Sequence, residues 1–198
     1  RMCMVEIESR GRTKMETACT AQVAEGLVVT TNSEKVRNAR RNVLDMLLSN
    51  HKTDCFSCRA NGDCKLQELC FEYGIERTTY SGEQTELPID DSNKFFTYNP
   101  NLCILCHRCV NTCHKIVGRG AIDTMERGFD SAIGTPFHVD WIDTTCESCG
   151  NCVQACPTGA LTMKRRKNYR KYQIDKKVLT TCPHCATGCQ YYLLVKDN

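Results

Sequence analysis

The spacing of the cysteines constrains this chain more than any other feature. There are 17 cysteines in 198 residues. Most fall in tight groups: Cys55, Cys58 and Cys64; Cys103, Cys106, Cys109 and Cys113; Cys146, Cys149, Cys152 and Cys156; and Cys182, Cys185 and Cys189. Two-residue spacers place successive thiols on one short loop, facing one point. That suits a metal centre and suits mutual disulfides poorly, and an odd total also argues against a closed disulfide framework. The hydrophobic share is 41% with cysteines counted. Core-forming side chains are therefore scarce, and bound metal is expected to replace part of the core.

The two middle groups are the most specific. Each reads Cys-x2-Cys-x2-Cys-x3-Cys, and the second is followed by Pro157. This is the bacterial ferredoxin run, in which three thiolates hold one 4Fe–4S cluster and the fourth reaches the other cluster. The rule assigns Cys103, Cys106, Cys109 and Cys156 to one cluster. It assigns Cys146, Cys149, Cys152 and Cys113 to a second. His114 stands where the second run has Pro157, which removes no ligand. Upstream, His51 precedes Cys55, Cys58 and Cys64, whose three thiolates leave a four-coordinate site one ligand short. Imidazole can complete an iron site, and zinc would accept the same set. Beside two ferredoxin runs, iron is the better reading. Cys182, Cys185 and Cys189 supply three thiolates of a further 4Fe–4S cluster. No fourth follows before Asn198, so the chain is expected to stop within a domain.

Hydropathy patterning places these groups on elements. Val5 and Ile7 alternate with Glu6 and Glu8, and Leu27 to Thr31 is a β-branched run, so residues 1–31 read as short strands. Thr31-Asn32-Ser33-Glu34 reads as a capping box. Val36, Val43, Leu44, Leu47 and Leu48 then recur at helical spacing, with Arg37, Arg40 and Arg41 on a solvated face. Residues 78–101 are polar and turn-rich and read as a linker. The stretch between Cys113 and Cys146 is a long insertion, expected as a hairpin or loop excursion. Val178 to Thr181 and Tyr191 to Val195 read as strands flanking the last cysteine group.

The net charge of +3, from 26 basic and 23 acidic residues, is too small to argue for nucleic-acid binding. The basic run from Lys164 to Lys171 reads as a solvated linker or docking strip. No apolar run is long enough for a membrane span, and no signal peptide is visible. With disulfides not indicated, a reducing cytoplasm is the expected location.

The motif order, His-x3-Cys-x2-Cys-x5-Cys and then a two-cluster ferredoxin, resembles an N-terminal arm shared by three enzyme groups. These are iron-only hydrogenases, the large iron–sulfur subunit of NADH:quinone oxidoreductase, and cytoplasmic formate dehydrogenase catalytic subunits. The resemblance covers essentially the whole chain. It implies an N-terminal β-grasp domain with a 2Fe–2S cluster, to which Arg1-Met2-Cys3 and Ala18-Cys19-Thr20 correspond. Cys3 and Cys19 are thereby ligands of an incomplete 2Fe–2S site. Cys70 matches no ligand position and reads as a small buried side chain. The run Cys182-Pro183-His184-Cys185-Ala186-Thr187-Gly188-Cys189 resembles the opening of molybdenum- or tungsten-dependent oxidoreductases carrying bis-molybdopterin guanine dinucleotide. Respiratory subunits generally keep one cluster in the ferredoxin module. All eight cysteines together with the terminal run therefore make a formate dehydrogenase subunit the main expectation. The respiratory or hydrogenase-type subunit is the alternative, and a zinc-stabilised binding module the remote one.

The implied partners are a flavin- and NAD(P)-binding iron–sulfur subunit, a small 2Fe–2S subunit, and ferredoxin as a possible acceptor. Electrons from formate would pass from the Cys182 site through the ferredoxin pair to the His51 site and on to the 2Fe–2S end. The expected fold class is α+β, with four modules. They are a 2Fe–2S remnant over 1–33, a His-Cys3 domain over 34–91, a two-cluster ferredoxin over 92–164, and a linker opening a molybdopterin oxidoreductase domain over 165–198. No residue with a bond-making role is identified. Ligand loops are so large a share of the chain that folding is expected to need the clusters. Cluster-free protein should lack the cooperative calorimetric transition of the loaded protein; similar transitions in both would refute this.

Overall fold

Period-two alternation makes a strand with one buried face. In the computed structural model, which describes residues 2–9, 11–165 and 171–197, the Val5/Ile7 stretch forms β1 (Met4–Ser9). It is the middle strand of an antiparallel sheet between β2 (Arg12–Thr17) and β3 (Val28–Thr30). Val5 and Ile7 are buried, and α1 (Glu34–Ser49) packs on β1. Ser33 caps this helix, accepting from the Val36 amide at 3.3 Å. The box opening at Thr31 does not form. Pairing of Thr30 with Glu6 keeps the chain extended, so Glu34 becomes the first helical residue rather than the third.

Two further expectations are corrected by long-range contacts. Arg40 is not on a solvated face: its guanidinium donates to the Met4 carbonyl at 2.8 Å and the Tyr73 hydroxyl at 3.3 Å. Arg37 lies 5.2 Å from the centre of the Tyr73 ring, within cation–π range. Both tie α1 to α2 (Lys65–Glu72) and its C-cap. Between these helices Leu44, Leu48, Leu66, Cys70 and Tyr73 form one core. Nor is 78–101 wholly a linker. It contains β4 (Phe96–Tyr98), whose partner is β7 (Leu161–Met163), far along the chain.

Between β4 and β7 lies the second core, in which Phe96, Tyr98, Ile122, Ile133, Trp141 and Leu161 are buried against Cys109 and Cys152. Trp141 meets Phe96 edge-on, with ring centres 5.1 Å apart, and Tyr98 at 5.5 Å. The two ferredoxin runs enter as α3 (Arg108–Asn111) and α4 (Asn151–Ala155), which pack on each other. Pro157 cannot continue a helix, and α4 stops before it. His114 imposes no such stop, so the first run continues as a π-helical turn over Thr112–Val117. There the insertion begins. It carries the hairpin β5 (Asp123–Met125) and β6 (Ala132–Gly134). The Tyr98 hydroxyl pins this hairpin by donating to the Ile133 carbonyl at 2.6 Å.

The last element is the hairpin β8 (Lys176–Thr181) and β9 (Gln190–Val195). Of the basic run, residues 166–170 lie outside the described residues. Lys164 is paired with Asp91 at 3.2 Å. Among the described residues no helix is long and apolar enough to cross a membrane. Leu44 is fully buried while Met46, on the same helix, is half exposed. Leu44→Ala should therefore cost about 2–5 kcal/mol and Met46→Ala within about 0.5 kcal/mol, read by urea titration of loaded protein.

Candidate iron–sulfur sites

Each ferredoxin run wraps its cysteines around a turn that ordinary side chains disfavour. Leu105 and His107 in the first run have φ of 47° and 60°; Ser148 and Gly150 at the matching positions of the second have 56° and 75°. Left-handed backbone in non-glycine residues costs energy and persists only where surroundings impose it. Here it turns the Leu105 amide toward Cys103 Sγ and the Ser148 amide toward Cys146 Sγ, each at 3.4 Å.

The short helices then bring the distant fourth cysteine of each run to the other loop. One cavity, about 320 Å³ with its open mouth counted, is lined by Cys103, Cys106, Cys109 and Cys156, with Tyr98 and Ile133. A second, about 400 Å³, is lined by Cys113, Cys146, Cys149 and Cys152, with Phe96, Ile122 and Trp141. These are the two sets of four that the ferredoxin rule groups. Burial, with the charge of neighbouring thiolates added, pushes the Cys103 thiol up to about 11 and those of Cys109 and Cys152 up to about 12. Four thiolates facing an apolar cavity are untenable without a cationic centre between them. Thiolates set around cavities of this size suit a multi-iron cage, whereas a single tetrahedral ion draws its sulfurs to about 2.3 Å. Among the described residues no three His, Cys, Asp or Glu side chains are grouped for one metal ion.

The His51 region is built differently. His51 is buried after the C-terminus of α1, and its Nδ1 has no hydrogen-bond partner among the described residues. Burial also lowers its pKa, so the ring is neutral and able to donate a lone pair. Cys55, Cys58 and Cys64 lie near enough for their charges to interact, which together with burial raises the Cys55 and Cys64 thiols. An orphaned buried imidazole nitrogen four residues before Cys55 has the chemistry of a fourth ligand. Cys70 belongs to the core instead, its thiol raised by burial to about 11.

At the N-terminal sheet the Cys3 and Cys19 sulfurs are 3.6 Å apart, close enough to bind one iron together. Cys182, Cys185 and Cys189 sit at the turn of the β8–β9 hairpin. The Cys182 amide donates to the Cys189 carbonyl at 2.8 Å, and Cys185 and Cys189 are exposed.

Known proteins share these features. Residues 40–79 match the NADH-ubiquinone oxidoreductase-G iron-sulfur binding region, residues 94–162 the ferredoxin-like domain of NADH-quinone oxidoreductase subunit 3, and residues 145–192 a 4Fe-4S dicluster domain. The chain is 39% identical to the G 2 subunit of NADH-quinone oxidoreductase from Rhizobium meliloti over 96% of its length, covering 22% of that protein. It is 40% identical to the NADPH-Fe(3+) oxidoreductase alpha subunit of Geobacter sulfurreducens, again over 96% of this chain and 22% of that one. A solved NAD+-reducing NiFe-hydrogenase in its H2-reduced state superposes with a TM-score of 0.74 at 30% identity, covering 83% of this chain and 68% of that one. The chain belongs to the NADH-quinone oxidoreductase G-subunit family, as its N-terminal iron–sulfur region. It spans 22% of the length of these two curated relatives.

This G-family region thus carries 4Fe–4S domains. It also joins them through a contact that sequence reasoning missed. The Pro157 carbonyl accepts from the Lys65 amide at 2.9 Å. A Cβ on Gly159 would lie 2.6 Å from Cys58 Sγ, so the segment after Cys156 packs directly on the loop after His51. Asn93 was missed as well: fully buried, it donates to the Ser148 hydroxyl at 2.8 Å and so braces the second ligand loop. Neither carries a local signal, because both act across long sequence separations. His51→Cys would replace a neutral ligand by an anionic one. The potential of that cluster should then fall in an anaerobic EPR titration, and an unchanged or raised potential would count against His51 as a ligand.

Proposed function

We propose that this chain is the electron-carrying arm of a pyridine-nucleotide-linked oxidoreductase complex. The observation that supports it most is the exchange of Cys113 and Cys156 between the two four-cysteine cavities. In this reading Cys103, Cys106, Cys109 and Cys156 hold one 4Fe–4S cluster. Cys113, Cys146, Cys149 and Cys152 hold a second, and His51, Cys55, Cys58 and Cys64 a third. When bound, such clusters supply reversible one-electron transfer over a wide range of potentials. The chain's own part is to hold them close together, screen them from water and order their potentials. Pro157 and Gly159 bring the Cys156 loop against Cys58 and Cys64. Trp141 and Phe96, which line one ferredoxin-type cavity, meet edge-on, while Trp141 packs at a tilt on Tyr98, which lines the other. Cys3 and Cys19 would give two ligands to a 2Fe–2S cluster, and Cys182, Cys185 and Cys189 three to a further 4Fe–4S cluster. The modules run over 1–33, 34–91, 92–164 and 165–198.

The names of the relatives favour NADH or NADPH as the two-electron partner, delivered through a flavin-bearing subunit. The formate dehydrogenase reading is second. Eight cysteines in the ferredoxin module and the Cys182–Cys189 run favour it, and it alone requires molybdenum or tungsten with the pterin cofactor. Iron, acid-labile sulfide, molybdenum and tungsten should be assayed in the complete complex purified without oxygen, followed by EPR after NADH, NADPH or formate. Near-equal iron and sulfide with clusters reduced by NADH or NADPH is the expected result. Reduction by formate alone, with molybdenum or tungsten present, would replace it by the second reading. Zinc without sulfide would overturn both.

A further inference from the structure

The two ferredoxin runs share one backbone plan, so a difference between their sites must come from side chains and from the insertion. Each site has one backbone amide turned on its first sulfur, from Leu105 and Ser148 respectively. A backbone interaction at the third sulfur is shared as well, from Val110 at Cys109 and Val153 at Cys152, and beyond these the sites diverge. At the second site the Asn151 side-chain amide Nδ2 donates to Cys149 Sγ at 3.4 Å, and the Ala121 amide, from the insertion, donates to Cys113 Sγ at 3.4 Å. The residue matching Asn151 in the first run is Arg108.

At the first site the exchanged ligand, Cys156, meets acceptors instead. Its sulfur is 3.5 Å from the Thr158 carbonyl. The Thr158 hydroxyl, 3.7 Å from that sulfur, donates its proton to the Leu102 carbonyl. The Tyr98 hydroxyl, in the same cavity, lies near enough to Cys103 to interact with its sulfur, but its proton is directed at the Ile133 carbonyl at 2.6 Å. Formal charge does not reverse the contrast: Arg119 and Glu147, both at the second cavity, pair with each other.

Hydrogen bonds donated to ligand sulfur stabilise the more negative, reduced state and raise the reduction potential. We propose that Asn151 is a positioning residue that raises the potential of the cluster held by Cys113, Cys146, Cys149 and Cys152. That potential then lies above the potential of the neighbouring cluster held by Cys103, Cys106, Cys109 and Cys156. The pair is thereby polarised, and a single electron entering it rests on the insertion side. This inference rests on the cluster-bearing reading above.

Asn151 is exposed at the start of α4, so it can be changed with little effect on packing. Asn151→Leu keeps its bulk and removes the donor; Asn151→Asp replaces the donor with a carboxylate. In EPR-monitored titrations of the complete complex, both should move one cluster to more negative potential, Asp further than Leu, and leave the other in place. Independently, wild-type protein carrying asparagine labelled with 15N only in the side chain should show a nitrogen coupling on the higher-potential cluster of the pair. A variant that retains full iron and sulfide with unmoved potentials overturns the proposal. So does a label coupling that is absent or belongs to the lower-potential cluster. If a variant loses iron, the labelled wild-type protein still decides. Wild-type protein without iron and sulfide would end the cluster-bearing reading itself.

Discussion

Crowding of thiolates out of water is the constraint around which this chain is organised. Eight cysteines line two largely apolar cavities. Burial and mutual repulsion raise the most enclosed thiols to about 11 or 12. Without a cationic centre these groups are neutral thiols, packed as small hydrophobes against Phe96, Ile122 and Trp141. With one, they lose their protons, and the attraction that replaces repulsion pulls both ligand loops together. Left-handed turns at Leu105 and His107 become tolerable when every sulfur is anchored. A chain poor in aliphatic side chains can use metal in this way where a larger domain would use core volume.

The exchange of Cys113 and Cys156 makes the two cavities one cooperative unit, because neither run completes a site alone. The β4–β7 pairing closes the same loop from outside, and Tyr98 ties the inserted hairpin to it. His114 matters for what it permits. Where Pro157 stops its helix, the first run continues as a π-turn and leads into the insertion. From there Ala121 returns an amide to Cys113. The insertion is thus part of the second site's surroundings as well as an ornament on the surface.

The His51 region follows a different logic. A helix with ordinary amphipathic packing ends just before one buried imidazole, and a loop with three thiols follows it in the chain. Close contact with the ferredoxin module runs through Pro157 and Gly159, and it is tight because Gly159 has no side chain. Short separations between redox sites favour rapid electron passage, so in the proposed relay Gly159, with no chemistry of its own, would serve by its size.

Much of the ligand pattern was legible locally. Thiols two and three residues apart must share a loop, whatever surrounds them, and alternation at Val5 and Ile7 or helical spacing from Val36 to Leu48 needs only near neighbours. Local reading failed where distant groups intervened. Pairing with β1 delayed the start of α1 to Ser33 and Glu34, Tyr73 and Met4 drew Arg40 inward, and β7 recruited Phe96–Tyr98 out of an apparent linker. The sequence by itself determined that the chain is an iron–sulfur protein and which cysteines belong to each loop, because ligand spacing is a local property. Only the tertiary structure decided which sulfurs receive hydrogen bonds, how Gly159 and Asn93 brace the loops, and where the sites touch. Those depend on atoms brought within a few ångströms by folding, across separations for which local spacing carries no signal.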